Sequence, residues 1–252
     1  MKKLLICLLA LVLAAAPALG EGTETGALEG PGFGSAEEAV TAYLEAMKNG
    51  DVEGMLATFA IETYVAEMDA QADLARMGSF QPGYGMRLPL GGEYQRRVAV
   101  AARYGQLAES LAYQWMLFSW PEGYEAFGDE SITFQEDGDA EAFLTGLAEN
   151  DAAARWQEME IVEFVEPAEL SDMYLNERNQ QTIARQAASY GCDEIVSVVA
   201  KLDIGGEEWY QCMDVARYGE KWYNLSFSGY IGILLAMSSY AAGLAPASEL
   251  RL

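Results

Sequence analysis

The chain has 252 residues, 51% of them hydrophobic, and its 39 acidic residues outnumber its 15 basic ones to give a formal net charge of −24. A surface this acidic repels phosphate backbones and anionic lipid, which excludes nucleic acid as a partner. The sequence has no histidine, so Ser-His and Cys-His nucleophile pairs and most zinc sites are excluded too. No cofactor or metal is expected, and any catalysis would rest on carboxylates, tyrosine, lysine or backbone dipoles.

The first twenty residues have the pattern of a secretory signal peptide. Lys2 and Lys3 precede an apolar run from Leu4 to Ala16, and small residues follow it. The alternative is an uncleaved membrane anchor, but the run is shorter than the about 20 apolar residues that a span requires. We therefore expect cleavage of residues 1–20 and a secreted or extracytoplasmic location. The mature chain would then carry 13 basic residues against 39 acidic ones, a net charge near −26.

A flexible leader is predicted for residues 21–34, which are rich in Gly and Glu and have no period. Order is expected from Ser35, because Ser35 and Glu38 form an S-x-x-E capping box. The apolar residues that follow recur at helical spacing, and they are Ala36, Val40, Tyr43, Leu44 and Met47. Asn49-Gly50 is typical of a helix stop, and Asp51 is typical of the cap of a second helix.

Residues from about 64 to 154 are predicted to be mainly helical. A helix is expected near 64–74, followed by a loop rich in Gly and Pro. The long helix after this loop has an apolar stripe at spacings of three and four, formed by Tyr104, Leu107, Ala108, Leu111, Ala112 and Trp115. A second loop leads to a shorter helix around 140–154.

The carboxylates between Glu136 and Glu141 alternate in a way that could hold a weak calcium ion. The run lacks the glycine at the sixth position of a calcium loop. A turn with a helix cap therefore explains these residues better than a metal site does.

Beyond residue 156 the hydrophobic period changes from 3.6 to 2, which predicts strands. The first strand shifts phase at Phe164, as a bulged strand does, and a mainly polar helix is expected at 171–190. Two strands then form a hairpin about Ile204-Gly205-Gly206-Glu207, and a third strand begins at Lys221. Within the hairpin, one face is predicted to hold Val196, Val198 and Leu202 together with Val215, Met213 and Trp209.

Two cysteines remain in the mature chain. The hairpin register places Cys212 opposite Val199, and Cys192 lies about seven residues further along, roughly 23 Å at the rise of a strand. That separation is beyond the reach of a disulfide. Two free thiols are therefore expected, although an exported protein invites a disulfide and a different turn or a bulge would change the register.

The tail from residue 224 to 248 carries no charge, so a membrane span is one interpretation of it. Glycine, serine, tyrosine and proline dilute its apolar character, and no basic cluster follows it. Burial of the run YIGILLAM as a strand or closing segment is favoured, with residues 229–252 forming an apolar closing segment and tail.

Helices followed by an antiparallel sheet indicate the α+β class. The stretch SAEEAVTAYLEAMKNGDVEGMLATFA resembles the opening helices of nuclear transport factor 2-like domains of exported bacterial proteins, and WYQCMDVARYGEKWYNLSF resembles their final hairpin. The matching pieces cover residues 33–60 and 156–228. The resemblance implies a cystatin-like cone, in which a curved antiparallel sheet wraps the amino-terminal helices around a central cavity. The domain would span 35–228, with the helical insertion at about 64–154 capping or filling that cavity.

The resemblance also suggests site residues. Enzymes of the superfamily place a carboxylate and a tyrosine or histidine inside the cone, and Asp214 is a weak catalytic candidate for the carboxylate. The hairpin register places Asp214 on the face opposite Met213 and Val215, which favours a solvated aspartate instead. Possible ligand-binding residues lining the cavity are Tyr43, Trp209, Met213 and Trp222. The alternative for these four is that they are simply core.

The sequence thus favours a secreted, acidic binding or accessory module that is not an enzyme, with a small apolar ligand or an extracellular protein as partner. One alternative is a lyase or isomerase that uses a carboxylate or tyrosine on an apolar small molecule in the cavity. Another is an interaction domain whose contact surface is the helical insertion. An exposed apolar patch between Tyr94 and Trp120 would be the sign of this third function.

Overall fold

The computed structural model describes residues 27–79, 91–120, 132–149, 152–237 and 241–251. The predicted signal peptide and the first part of the leader lie outside the described residues. The helices are α1 (Ala36–Lys48), α2 (Val52–Ala57), α3 (Glu62–Glu67), α4 (Ala70–Met77), α5 (Glu93–Ser119), α6 (Asp139–Glu149), α7 (Ala152–Gln157), α8 (Pro167–Leu170), α9 (Glu177–Tyr190) and α10 (Gly229–Leu234), with short 3₁₀ turns at Asp172–Leu175 and Ala247–Glu249. The strands are β1 (Met159–Val165), β2 (Glu194–Ile204), β3 (Glu207–Tyr218), β4 (Lys221–Phe227) and β5 (Leu244–Pro246). The architecture is α+β, as predicted.

One antiparallel sheet has the strand order β1-β2-β3-β4, and β5 pairs with the part of β3 that β4 leaves free. The predicted hairpin register is confirmed, because Ile204 lies opposite Glu207 and Val199 lies opposite Cys212. The bulge in β1 is confirmed too, and it falls between Ile161 and Glu163. Both cysteines of the described chain are free thiols.

The first helix begins and ends where the sequence predicts, and the second helix begins where it predicts. Ser35 Oγ accepts a hydrogen bond from the Glu38 amide at 3.1 Å, and Glu38 Oε2 accepts one from the Gly34 amide at 2.9 Å. Asp51 Oδ1 caps α2 by accepting from the Gly54 amide at 2.9 Å. The buried face of α1 then packs on the sheet with Ala39, Val40, Tyr43, Leu44 and Met47.

The leader is not flexible over residues 27–34, which corrects the prediction for that part of it. Phe33 exchanges two backbone hydrogen bonds with Trp222, at 2.9 and 3.0 Å. Glu29 accepts hydrogen bonds from the first turn of α3, including one from the Thr63 amide at 3.0 Å. The leader and residues 58–60, which pair with Asn224, therefore both lie along the edge of β4 that β3 leaves free. The sequence did not predict these contacts, because Glu29 and Phe33 lie in a Gly-rich stretch without a helix or strand period.

The sheet is covered on both faces. Its inner face packs against α1, α2, α5 and α7 in the main hydrophobic core. Its outer face packs against α9 and α10 in two smaller clusters. The insertion contains more helices than predicted, since 64–74 and 140–154 each resolve into parts of two helices. The boundaries proposed for the domain and its insertion stay predictions.

The run YIGILLAM forms α10 and the turn after it, not a strand. Ile231 and Leu235 are buried against the outer face of the sheet, while Ile233 is exposed. Among the helices of the described residues, none combines the length and the apolarity that crossing a membrane would need.

Candidate functional site

A cluster of polar side chains is buried in the main core between α1, α5 and β3. Tyr43, Gln114 and Gln211 are each 1% exposed or less. The Tyr43 hydroxyl donates to Gln114 Oε1. The Gln114 side-chain amide donates to Gln211 Oε1 at 2.9 Å and to the Ala242 carbonyl at 2.8 Å. We call Tyr43, Gln114, Gln211 and the Ala242 carbonyl the Gln114 cluster.

The long helix α5 carries Gln114 into the core on a stripe of buried residues. The predicted apolar positions Leu107 and Leu111 are buried on this stripe, and the stripe continues through Leu117 and Phe118. Gln114 lies between them at helical spacing. The apolar pattern missed it because a polar residue is expected to face solvent. Only the position of Gln114, three residues after Leu111 on the same helical stripe, indicates in the sequence that its side chain is buried.

Burial raises the pKa of the Tyr43 hydroxyl well above its ordinary value, although the hydrogen bond to Gln114 opposes this shift. The hydroxyl is therefore protonated at neutral pH and acts as a donor, not as a base. The Tyr43 ring packs edge-on against Phe59 and Phe227, with ring centroids 5.8 Å apart in both pairs. Both the hydroxyl and the ring of Tyr43 are thus in contact with other side chains of the protein.

The structure brings the four predicted ligand-binding residues into the same core. Met213 and Trp209 are buried on the inner face of β3, and Trp209 stacks near Phe118 at 5.2 Å between ring centroids. Trp222 is half-buried beside Phe33 at the edge of this core. Their role in binding a ligand stays a prediction.

Asp214 lies on the predicted face of β3, opposite Met213, but it is not solvated. It is 4% exposed. Its Oδ1 accepts a hydrogen bond from Ser197 Oγ at 2.7 Å and another from the Tyr230 amide at 3.1 Å. The prediction was wrong because α10, expected as a strand or closing segment, folds over this face. Strand alternation tells which face a residue occupies but not what covers that face.

Burial raises the pKa of the Asp214 carboxyl to about 6, and the hydrogen bonds from Ser197 and Tyr230 oppose part of this shift. Neutral polar groups surround it: the Tyr174 hydroxyl accepts from the Ser197 amide at 3.0 Å, and the Tyr230 hydroxyl donates to Asn179. A Cβ placed on Gly229 would lie 2.4 Å from Asp214 Oδ1. The Gly229 backbone therefore leaves no room for a substrate at this oxygen.

Two surface depressions lie elsewhere. One of about 380 Å³ is lined by α9 and the start of β2 and includes Cys192, whose burial raises its thiol pKa to about 11. The other, of about 480 Å³, is lined by residues 65–70 and Arg96. The two linings include neither Asp214 nor any of the four predicted ligand-binding residues.

The acidic run at 136–141 forms a turn that leads into the first residues of α6. Asp139 Oδ2 accepts hydrogen bonds from the amides of Gln135 and Glu136, both at 2.9 Å. These backbone donors lower the pKa of Asp139. In the ranges that the structure describes, His, Cys, Asp and Glu side chains do not gather into a group of three or more that could hold a metal ion.

The insertion presents apolar side chains to solvent. On α5 these are Tyr94, Val98 and Met116, and around α6 they are Ile132, Phe134 and Leu144. Residues 132–149 also carry five acidic residues and no basic one. Phe134 and Trp120 both pack against Phe143, with ring centroids 5.6 and 5.8 Å apart. We call the exposed residues of 132–149 the α6 surface.

No protein-family model matches the chain, and no curated protein matches it. Among solved structures, the chain is similar to a cystatin-like protein from Ruminococcus gnavus ATCC 29149, with 15% sequence identity and a TM-score of 0.38. The match covers 75% of this chain and 39% of that protein, and it concerns the fold at a coarse level only.

Proposed function

We propose that the chain is a secreted, acidic binding module that acts without catalysis. The observation that carries this proposal is the Gln114 cluster, which fills the centre of the core with mutually hydrogen-bonded side chains. A reaction in a cone needs a reactive side chain beside open space. Here the Tyr43 hydroxyl is hydrogen-bonded to Gln114, and the Asp214 carboxylate lies on the other face of the sheet beneath α10.

Binding is therefore assigned to the outside of the molecule. We propose the α6 surface as the contact region and a cationic extracellular protein as its partner. Charge complementarity supports this choice, because residues 132–149 carry five carboxylates and no basic residue in a chain whose net charge is already −24. The exposed Phe134 and Leu144 would supply the apolar anchors that specific interfaces use.

A defined probe tests this proposal. A synthetic amphipathic helix with lysine and leucine faces is titrated into the protein by calorimetry, and the same helix with glutamate in place of lysine is the charge control. The paired variant Phe134→Ser with Leu144→Ser should weaken binding by about tenfold. The pair Asp137→Asn with Glu141→Gln should weaken it and reduce its salt dependence.

Matched controls lie elsewhere on the surface. Leu175→Ser removes an exposed apolar side chain, and Glu37→Gln with Glu45→Gln removes two exposed carboxylates of α1. Equal losses in the control variants would show nonspecific attraction and overturn the assignment of the α6 surface. A small-molecule turnover that Asp214→Asn or Tyr43→Phe abolishes would overturn the non-enzymatic proposal and favour the lyase or isomerase.

A further inference from the structure

The segment that carries α10 leaves the sheet edge and returns to it at nearly the same point. β4 ends at Phe227 opposite Met213, and β5 begins at Leu244 opposite Gln211, so both strands lie along one edge of β3. A Cβ placed on Gly243 would lie 2.3 Å from the Ser228 nitrogen. Ser228 and Gly243, which follow β4 and precede β5, are therefore in contact. We call residues 228–237 the α10 segment.

Backbone strain is concentrated at the α10 segment. Ser228 and Ala236 have φ angles of 66° and 58°, in the left-handed region that side-chain-bearing residues avoid. Ala242, just before the chain rejoins the sheet, has a φ of 48°. Strained residues of this kind persist only where their surroundings hold them. The contacts that hold the α10 segment on the sheet therefore also maintain these strained conformations.

The α10 segment is held by apolar contacts and by Asp214. Ile231 and Leu235 are fully buried against Val199, Tyr210 and Cys212. At the start of the helix, Asp214 Oδ1 accepts the Tyr230 amide hydrogen, and the same oxygen accepts from Ser197 on β2. One carboxyl oxygen thus ties the α10 segment to two strands of the sheet.

Hydroxyl, amide and thiol groups from β2, β3, β4 and α9 lie around Asp214. From β2 the neighbour is Ser197, from β4 it is Ser226 in the opposite register position, and from α9 the Asn179 amide bonds Tyr230. The Cys212 thiol on β3 has a raised pKa and stays neutral. The Tyr174 hydroxyl accepts from the Ser197 amide, and the Tyr230 hydroxyl donates to Asn179. Asp214 is thus the contact whose charge changes between mildly acidic and neutral pH.

We propose that Asp214 is a pH-dependent latch for the α10 segment, which lies closed on the sheet while the carboxyl is neutral and loosens when the carboxyl ionises. Ionisation places a charge in a buried site where, among the described residues, Ser197 and the Tyr230 amide donate hydrogen bonds to Oδ1 and no cation contributes to the pKa of the carboxyl. Opening of the α10 segment would return that charge to water, so the open state binds the proton less tightly than the closed one. By linkage, a rise in pH favours the open state.

Amide hydrogen exchange tests the latch. Protection factors of Tyr230, Gly232, Leu235 and Met237, each corrected for the intrinsic exchange rate, are compared at about pH 4.5 and about pH 7.5. We expect roughly 30-fold less protection at the higher pH, from a closed-state pKa of about 6 and an ordinary aspartate in the open state. Amides of the β2–β3 ladder near the hairpin turn should be more strongly protected than those of the α10 segment.

Variants separate the latch from ordinary unfolding. Asp214→Asn should remove the pH dependence of the α10 segment, while Glu160→Gln, an exposed carboxylate on β1, should leave it unchanged. Ser197→Ala removes a hydrogen bond that lowers the pKa of Asp214 and should move the transition to higher pH. Persistence of the pH dependence in Asp214→Asn would overturn the proposal. Exchange of the α10 segment at the same rate as the β2–β3 ladder would overturn it as well. If Asp214→Asn does not fold, the Ser197→Ala variant decides: an unchanged transition pH would overturn the proposal.

Discussion

Gln114 of α5 donates a side-chain hydrogen bond to Gln211 of β3 at 2.9 Å, and 97 residues of sequence separate the two. The bond joins the insertion to the central strand in the buried middle of the main core. Helix α5 is therefore part of the hydrophobic core and not an attachment to it. Its removal would leave the polar side chains of Tyr43 and Gln211 buried without this partner.

Replacing Gln114 by alanine should lower the free energy of unfolding by about 2–4 kcal/mol, because it leaves a cavity and two buried polar groups without partners. Urea unfolding measures the change. Gln106→Ala is the matched control, since Gln106 lies exposed on the same helix; its cost should stay within about 0.5 kcal/mol. Similar costs for the two variants would contradict the buried role of Gln114.

Asp214 should make stability depend on pH. Its pKa is about 6 in the folded state against 3.8 for an ordinary aspartate, so the folded state binds more protons between these values. The contribution of Asp214 to the free energy of unfolding should therefore fall as the pH rises from about 4 to about 6 and should be constant above that. Asp214→Asn should raise stability by about 1–3 kcal/mol at pH 7.5 and should give no such gain at pH 4. Urea unfolding across the pH range measures both, and a gain at low pH alone would contradict the burial of the charge.

Two helix-ending glycines give a matched test of close packing. Gly191 ends α9 and Gly78 ends α4, with φ angles of 68° and 69°. A Cβ on Gly191 would lie 1.7 Å from the Glu67 carbonyl oxygen, whereas one on Gly78 would meet nothing within 4 Å. Gly78→Ala should cost only the left-handed strain, about 1 kcal/mol, and Gly191→Ala should cost more than about 3 kcal/mol because backbone must move. Thermal unfolding compares the two, and equal costs would count against the docking of α3–α4 on α9.

The two thiols should be free and slow to react. Burial raises the pKa of Cys192 to about 11 and raises that of Cys212 further. Since the thiolate is the reactive form, a disulfide reagent at pH 8 should label the folded protein slowly. Both thiols should react at once in denaturant without a reducing agent. Absence of free thiols in denaturant would mean that Cys192 and Cys212 are paired.

The sheet could be predicted from the sequence because local signals there agree with each other. A two-residue turn and two independent alternations allow one register, and that register placed Cys212 opposite Val199. The caps at Ser35 and Asp51 were equally readable, because a side chain that satisfies a helix amide must stand next to it.

The sites could not be predicted because they depend on contacts between distant segments. Gln114 and Arg103 both lie on the buried stripe of α5, where an apolar pattern has no place for them. Arg103 is accommodated by the Leu225 carbonyl and by the Tyr64 ring, 4.3 Å from its guanidinium carbon. Asp214 was placed on the correct face, but its burial follows from α10, and a short apolar run does not reveal whether it forms a helix or a strand.

The central claim is that side chains fill the middle of the core, so that binding is left to the surface. A crystal structure of the protein under xenon pressure tests it most directly, because xenon enters apolar cavities that protein atoms leave empty. The account predicts no xenon between α1 and β3, with the Gln114 side chain bonded to Tyr43 and Gln211. Xenon or solvent in a cavity larger than roughly 300 Å³, lined by Tyr43, Trp209 and Met213, would contradict it.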